Sequence, residues 1–145
     1  MTGTLERRQA VELRMAALAP LLGLPLNPAE QLQARSPAGI KSTGEILWWM
    51  VWSNAEPDGW GAGAAGPNDP SQVRGSGFFQ FDIYCIPASA TTTPYRVFDV
   101  IHRELRFEVI GDVQTRTVQP PRDITPRDAG MSRFQITVPF YVLDL

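Results

Sequence analysis

An α+β fold is the class predicted by this 145-residue sequence: a mostly antiparallel, mixed sheet of four to five strands, with two amphipathic helices packed on one face. Three observations predict it. Residues 78–85 and 132–143 set apolar side chains at every second position, the period of a strand. Residues 5–18 and 94–107 instead place apolar side chains at three- and four-residue steps. The elements follow the order α, β, long loop, β, α, β, β without an internal repeat, so a single domain spanning residues 1–145 is expected.

The first helix, over residues 5–18, buries Val11, Met15, Leu18 and Leu22, with Ala10, Leu13 and Ala17 beside them. Glu6, Arg7, Arg8, Glu12 and Arg14 face outward, Thr4 is the candidate N-cap, and Pro20 with Gly23 ends the helix. Residues 23–39 hold Pro25, Pro28 and Pro37 and read as an extended connection with one short helical turn at 28–34. In residues 44–53, GEILWWMVWS, one side carries Ile46, Trp48, Met50 and Trp52, and the other Leu47, Trp49 and Val51. A strand apolar on both sides must be covered on both. Either its own fold or a partner chain supplies that cover, because helices on one face alone would leave Leu47, Trp49 and Val51 in water.

Residues 54–74 join two strong strands through four glycines and three prolines, with Trp60 the only large apolar residue. They read as a long hairpin tip or an arm, and loops of that length in compact domains tend to be functional. The next strand puts Phe79, Phe81, Ile83 and Cys85 on one side and Phe78, Gln80, Asp82 and Tyr84 on the other. Gly75 and Gly77 mark a turn or a close backbone approach before it, and Pro87 stops it. The second helix begins at Thr93-Pro94 and carries the stripe Val97, Phe98, Ile101 and Leu105. Residues 108–110 continue that helix or open a strand; 112–119 form a strand with Val113, Thr115 and Thr117 on one side; 120–130 form a polar loop. In the last strand Phe134, Ile136, Val138, Phe140 and Val142 alternate with Arg133, Gln135, Thr137, Pro139 and Tyr141. Pro139 cannot donate to a ladder, so this strand is expected at an edge or with its N–H side free at that point.

Composition narrows the function classes. Charge is nearly balanced at −2 with no block of one sign, which argues against a dedicated nucleic-acid binder. The basic residues are twelve arginines and only Lys41, a bias that fits either protein interfaces or a GC-rich genome. The apolar run 46–52 is far short of the roughly 20 residues of a membrane span, no signal-peptide pattern opens the chain, and the single Cys85 has no partner for an internal disulfide. Together these point to the cytosol. His102 is the only histidine, and one His with one Cys makes no zinc cluster of the usual kind. The spacing of Gly61, Gly63 and Gly66 matches a dinucleotide fingerprint literally, but Pro67 and Pro70 stand where its helix would begin. Gly75-Ser76-Gly77 lacks the frame of a nucleophile elbow. We therefore expect no catalysis, no cofactor and no metal.

The run FFQFDIYCIP after a glycine, the small-residue linker, the helix carrying Val97–Leu105, the basic-polar strand and the terminal FQITVPFY resemble the tail-terminator proteins of long-tailed bacteriophages. The helix ELRMAALAPL fits the same layout, whereas the Trp-rich strand and the Gly-rich 54–74 loop depart from it. The resemblance implies a virion protein that closes into a homo-hexameric ring at the head-proximal end of the tail tube. It would stop tube polymerisation and dock the head–tail connector, with DNA passing the pore without sequence-specific binding and no membrane involved. Candidate subunit-interface residues are Trp48, Trp52, Asp58, Trp60, Arg74, Phe78, Tyr84 and Arg133. Two alternatives stand beside this: another neck component, such as a head-completion or connector protein, and a small-molecule-binding or hydrolytic domain with a pocket lined by Trp48, Trp49 and Trp52.

Overall fold

The computed structural model describes residues 3–29, 44–53, 73–127 and 130–143, with the side chains of Ser53, Val73 and Arg74 excepted. The elements are α1 (Thr4–Leu18), β1 (Leu26–Pro28), β2 (Glu45–Ser53), β3 (Val73–Cys85), α2 (Thr93–Leu105), β4 (Val109–Ile110), β5 (Val113–Thr115), β6 (Arg122–Asp123) and β7 (Ser132–Leu143). The class is α+β, as expected, but the sheet is larger: seven strands in the order β1-β2-β3-β7-β5-β4, with β6 also on β7. It is mixed because β1 runs parallel to β2 while the other pairs are antiparallel.

The long strands form because each alternates. β3 and β7 pair over most of their lengths, setting Phe79 opposite Val138 and Phe81 opposite Ile136. β2 pairs with the other edge of β3, setting Met50 opposite Phe79. One face of this three-strand centre is therefore continuously apolar. Val11, Met15, Leu18 and Leu22 from the α1 segment and Val97, Ile101 and Leu105 from α2 bury against it in one core. Phe79 and Phe140 stack within it at 4.8 Å between ring centres. Fully burying side chains of this size stabilises by roughly 1.5–3 kcal/mol each, so this layer is the main source of stability.

The sheet curls around α1. Arg8 of α1 lies 4.7 Å from the Trp48 ring on β2, and the preceding residue, Arg7, pairs with Asp112 at the β4–β5 turn. A flat sheet would hold those two strands too far apart for one helix turn to touch both. Among the described residues, both helices thus fill the concave side.

Several local expectations need correction. Thr4 is the first helical residue, not the N-cap; Gly3 takes that place and offers no side-chain cap. The stripe Val11, Met15, Leu18 and Leu22 is buried as expected, but Leu13 is 74 % exposed and Ala17 is exposed, while Arg7, expected outward, is buried. Leu26–Pro28 is a strand where an extended connection was expected, and of the turn expected at 28–34 all but Pro28 and Ala29 lie outside the described residues. Gly75 and Gly77 sit inside β3, not before it; Gly77 does mark a close approach, with Trp52 and Phe140 as its cross-strand partners. The 54–74 loop lies outside the described residues except for Val73 and Arg74, which open β3.

The C-terminal third departs most. After α2, Phe107 adopts a left-handed φ of 52°, and the chain turns back into β4. The Thr115 hydroxyl fixes that turn by donating to the Leu105 carbonyl and accepting the Glu108 N–H at 2.7 Å. The strand expected over 112–119 stops at Thr115, and Thr117 is exposed. Within the expected loop, Arg122–Asp123 pairs with β7. Between them the chain still follows β7, since the Arg116 N–H donates to the Pro139 carbonyl at 2.7 Å and Gln119 to Thr137 at 2.9 Å. β7 is therefore interior and not at an edge, and of the two expectations for Pro139 the free N–H side is the one that holds. Pro139 is tolerated because the N–H and carbonyl of one strand residue point the same way. Its missing donor faces the irregular stretch between β5 and β6, not a ladder position.

Candidate interaction surface

Strand alternation that sends one set of side chains to the core sends the other to the convex face. Read across β2, β3 and β7, that face has successive rows Glu45–Tyr84–Arg133, Leu47–Asp82–Gln135, Trp49–Gln80–Thr137, and Val51–Phe78–Pro139, then Tyr141 beside Gln114 on β5 and Val109 on β4. The rows divide it into two halves of different chemistry.

The first half is polar and internally paired. Asp82 is buried; it accepts from the Arg133 guanidinium, with Nε at 3.1 Å, and from Gln135 Nε2 at 3.2 Å. Arg122 Nη2 donates to Gln135 Oε1 at 3.0 Å, extending the chain of bonds to β6. The Thr137 hydroxyl donates to Gln80 Oε1 at 3.0 Å, and Asn27 Nδ2 to the buried Glu45 carboxylate at 2.8 Å. A buried carboxylate is tolerable only with such partners. The Arg133 guanidinium also lies 5.4 Å from the Tyr84 ring. Burial pushes the Tyr84 phenol above its ordinary value, Arg133 opposes that shift, and Asp82 adds to it. Because the folded pKa is raised, the associated stability is present below about pH 10 and is lost as pH rises through the folded value. Spectrophotometric titration is expected to show Tyr84 ionising late. That component should vanish in Tyr84→Phe and move later still in Arg133→Gln; an unmoved titration in the latter would contradict the pairing.

The second half is apolar and basic. Val51, Phe107 and Val109 are exposed, and Phe78, Pro139 and Tyr141 are half-buried among them. Arg106 lies 4.9 Å from the Phe107 ring, and Arg116 lies 5.7 Å from Phe107 and 5.1 Å from Tyr141.

The residues singled out from sequence divide between the faces. Phe78, Tyr84 and Arg133 stand on the convex face, the last two in contact. Trp48 is buried beneath α1, and Trp52 is half-buried on the same side with Arg7 at 5.6 Å, so both face the helices. The Arg74 backbone belongs to β3; Asp58 and Trp60 lie outside the described residues. Of the three β2 side chains expected in water, Leu47 is buried, Trp49 is half-buried and only Val51 is exposed. Trp49 points away from Trp48 and Trp52, so these three cannot line one pocket. The recess that Trp48 does line, about 340 Å³ between α1 and β1–β2, is formed with Glu12, Met15, Ala16, Ala19, Leu26 and Pro28.

Other reactive groups lie elsewhere. His102 is half-buried beside the Phe98 ring, and Cys85 is buried in the core, where burial pushes its thiol pKa up. Among the described residues, no three His, Cys, Asp or Glu side chains could hold a metal ion. No helix among them is long and apolar enough to cross a membrane. Sequence reasoning missed Phe107, Val109 and Arg116. The sequence places Phe107 at the end of the second helix, where nothing local sets it apart. No family model and no curated protein matches the chain.

Proposed function

We propose that this protein is a structural subunit that assembles with copies of itself into a ring, a hexamer by resemblance, at the head-proximal end of a phage tail tube. There it ends tube polymerisation and offers the surface on which the head–tail connector docks; its place is the neck of the virion, after assembly in the host cytoplasm. One observation carries the reading: among the described residues, both helices cover the same side of the sheet, and the opposite side keeps Val51, Phe107 and Val109 exposed beside Phe78, Pro139 and Tyr141. Contiguous apolar surface of that kind marks interaction sites in soluble proteins. The resemblance of FFQFDIYCIP and FQITVPFY to tail terminators supplies the kind of assembly. A net charge of −2 suits a pore through which DNA slides, since a strongly basic lining would hold phosphates. Light scattering on the eluting protein, with and without tail-tube protein, is expected to give a ring-sized species that binds tube ends and shortens tubes grown in its presence. A monomer that neither binds tubes nor alters their length would overturn the reading.

A further inference from the structure

We infer that the contact between neighbouring copies is head-to-tail: the exposed stripe of α1 in one copy seats on the apolar half of the convex face in the next. The inference rests on the ring reading and names the surfaces that build it. Among the described residues, five of the eight exposed large apolar side chains fall in these two places: Leu5 and Leu13 on α1, and Val51, Phe107 and Val109 on the convex face. Leu5 and Leu13 are eight residues apart, so they share the helix side opposite Arg7, Val11, Met15 and Leu18. Gln9 and Ala16, also exposed, complete a shallow stripe. Because α1 lies in the concave side, the two surfaces point away from each other and cannot meet within one chain.

Their charges are complementary. Among the described residues, the stripe is bordered by two carboxylates, Glu6 and Glu12, and by one guanidinium, Arg8, whose Nε donates to Glu12 at 2.9 Å. Likewise among the described residues, the convex patch carries the guanidinium groups of Arg106 and Arg116 and the exposed carboxylate of Glu108. Either surface against its own copy would bring like charges together, so the pairing is heterologous, the kind that closes into rings. The backbone at Phe107 points the same way. A bulky residue with φ of 52° is strained, by about 1–3 kcal/mol, yet this one is pinned by Thr115 and still holds its ring 47 % exposed. Strain that gains no burial in the single chain is explained if the ring is buried in the next.

Two measurements test this. Leu13→Cys protein mixed with Val109→Cys protein and treated with a short bismaleimide is expected to yield the mixed dimer. Neither variant alone should cross-link, since Cys85 is buried. Predominant dimers within a single variant would overturn the inference, as would an oligomer that gives no mixed product; in that last case the ring reading survives. A protein monomeric at every concentration would sink both. Second, Phe107→Asn relieves the strain, so its thermal midpoint should hold or rise while the concentration for half-assembly increases by about tenfold or more. Unchanged assembly in that variant would equally overturn the inference, and its retained fold excludes misfolding as the cause.

Discussion

Replacing Asp112 by alanine is expected to destabilise the fold by about 3–5 kcal/mol, the range for removing one partner of a buried ion pair. Arg7 and Asp112 are 4 % and 0 % exposed, and the pair is bidentate, with Nε 3.0 Å from Oδ1 and Nη2 2.9 Å from Oδ2. Its role is architectural. It ties the first turn of α1 to the β4–β5 turn, whose Asp112 carbonyl also accepts the Leu143 N–H at 2.7 Å. Alanine removes the counter-charge and leaves a guanidinium where water does not reach. For a domain of this size, each kcal/mol lowers the melting midpoint by roughly 2–4 °C, so a drop near 10 °C is the expected reading. Asp112→Asn should fall between, because it keeps a hydrogen-bond acceptor and loses the charge. The double variant Arg7→Met with Asp112→Leu should recover most of the loss, since apolar replacement of both partners removes the buried charge together with its counter-charge. If urea unfolding of Asp112→Ala showed a change below about 1 kcal/mol, the pair must be hydrated and the curl of the sheet must have another cause.

That ion pair also shows where the sequence stopped being legible. Elements whose pattern is local and long were readable: the period of two in β3 and β7, and the stripe Val97, Ile101 and Leu105 of α2, all appear as expected. The burial of Arg7 was not, because it is set by a carboxylate 105 residues away. Nothing near Arg7 in the chain distinguishes it from Arg8 or Arg14. β1, β4 and β6 are two or three residues each, too short to display a period; they exist because longer strands offer them an edge. Likewise Asp82 and Arg133 are diagonal neighbours only once the register of β3 on β7 is known. The candidate surface was half legible for the same reason. Phe78, Tyr84 and Arg133 come from patterned strands, whereas Phe107 comes from a turn fixed by the Thr115 hydroxyl, and Val109 from the two-residue β4 that follows it.

Gly77→Ala is expected to be as damaging as the loss of Asp112, through sterics alone. A methyl group at this position would overlap the Val51 carbonyl oxygen and lie 2.7 Å from Phe140 Cζ and 2.8 Å from Trp52 Cα. Two of those three atoms are backbone, so no side-chain rotation relieves the overlap; β2 and β3 must separate, or the Phe140 ring must leave its stack on Phe79. Either movement breaks ladder bonds or opens a cavity in the core, and each costs on the order of 1–3 kcal/mol, giving an expected total of about 3 kcal/mol or more. Gly130→Ala is the control, because a methyl there meets nothing within 4 Å, and its effect should stay within about 0.5 kcal/mol. The consequence reaches the convex face. Gly77 is flanked in the register by the Val51–Phe78 pair, so spreading β2 from β3 displaces two residues of the apolar patch. Destabilisation and weakened assembly should therefore appear together in Gly77→Ala, unlike Phe107→Asn, where only assembly suffers. Chemical denaturation and light scattering on both variants separate the two effects: a Gly77→Ala protein with unaltered stability would mean the three strands slide past each other more freely than their register allows.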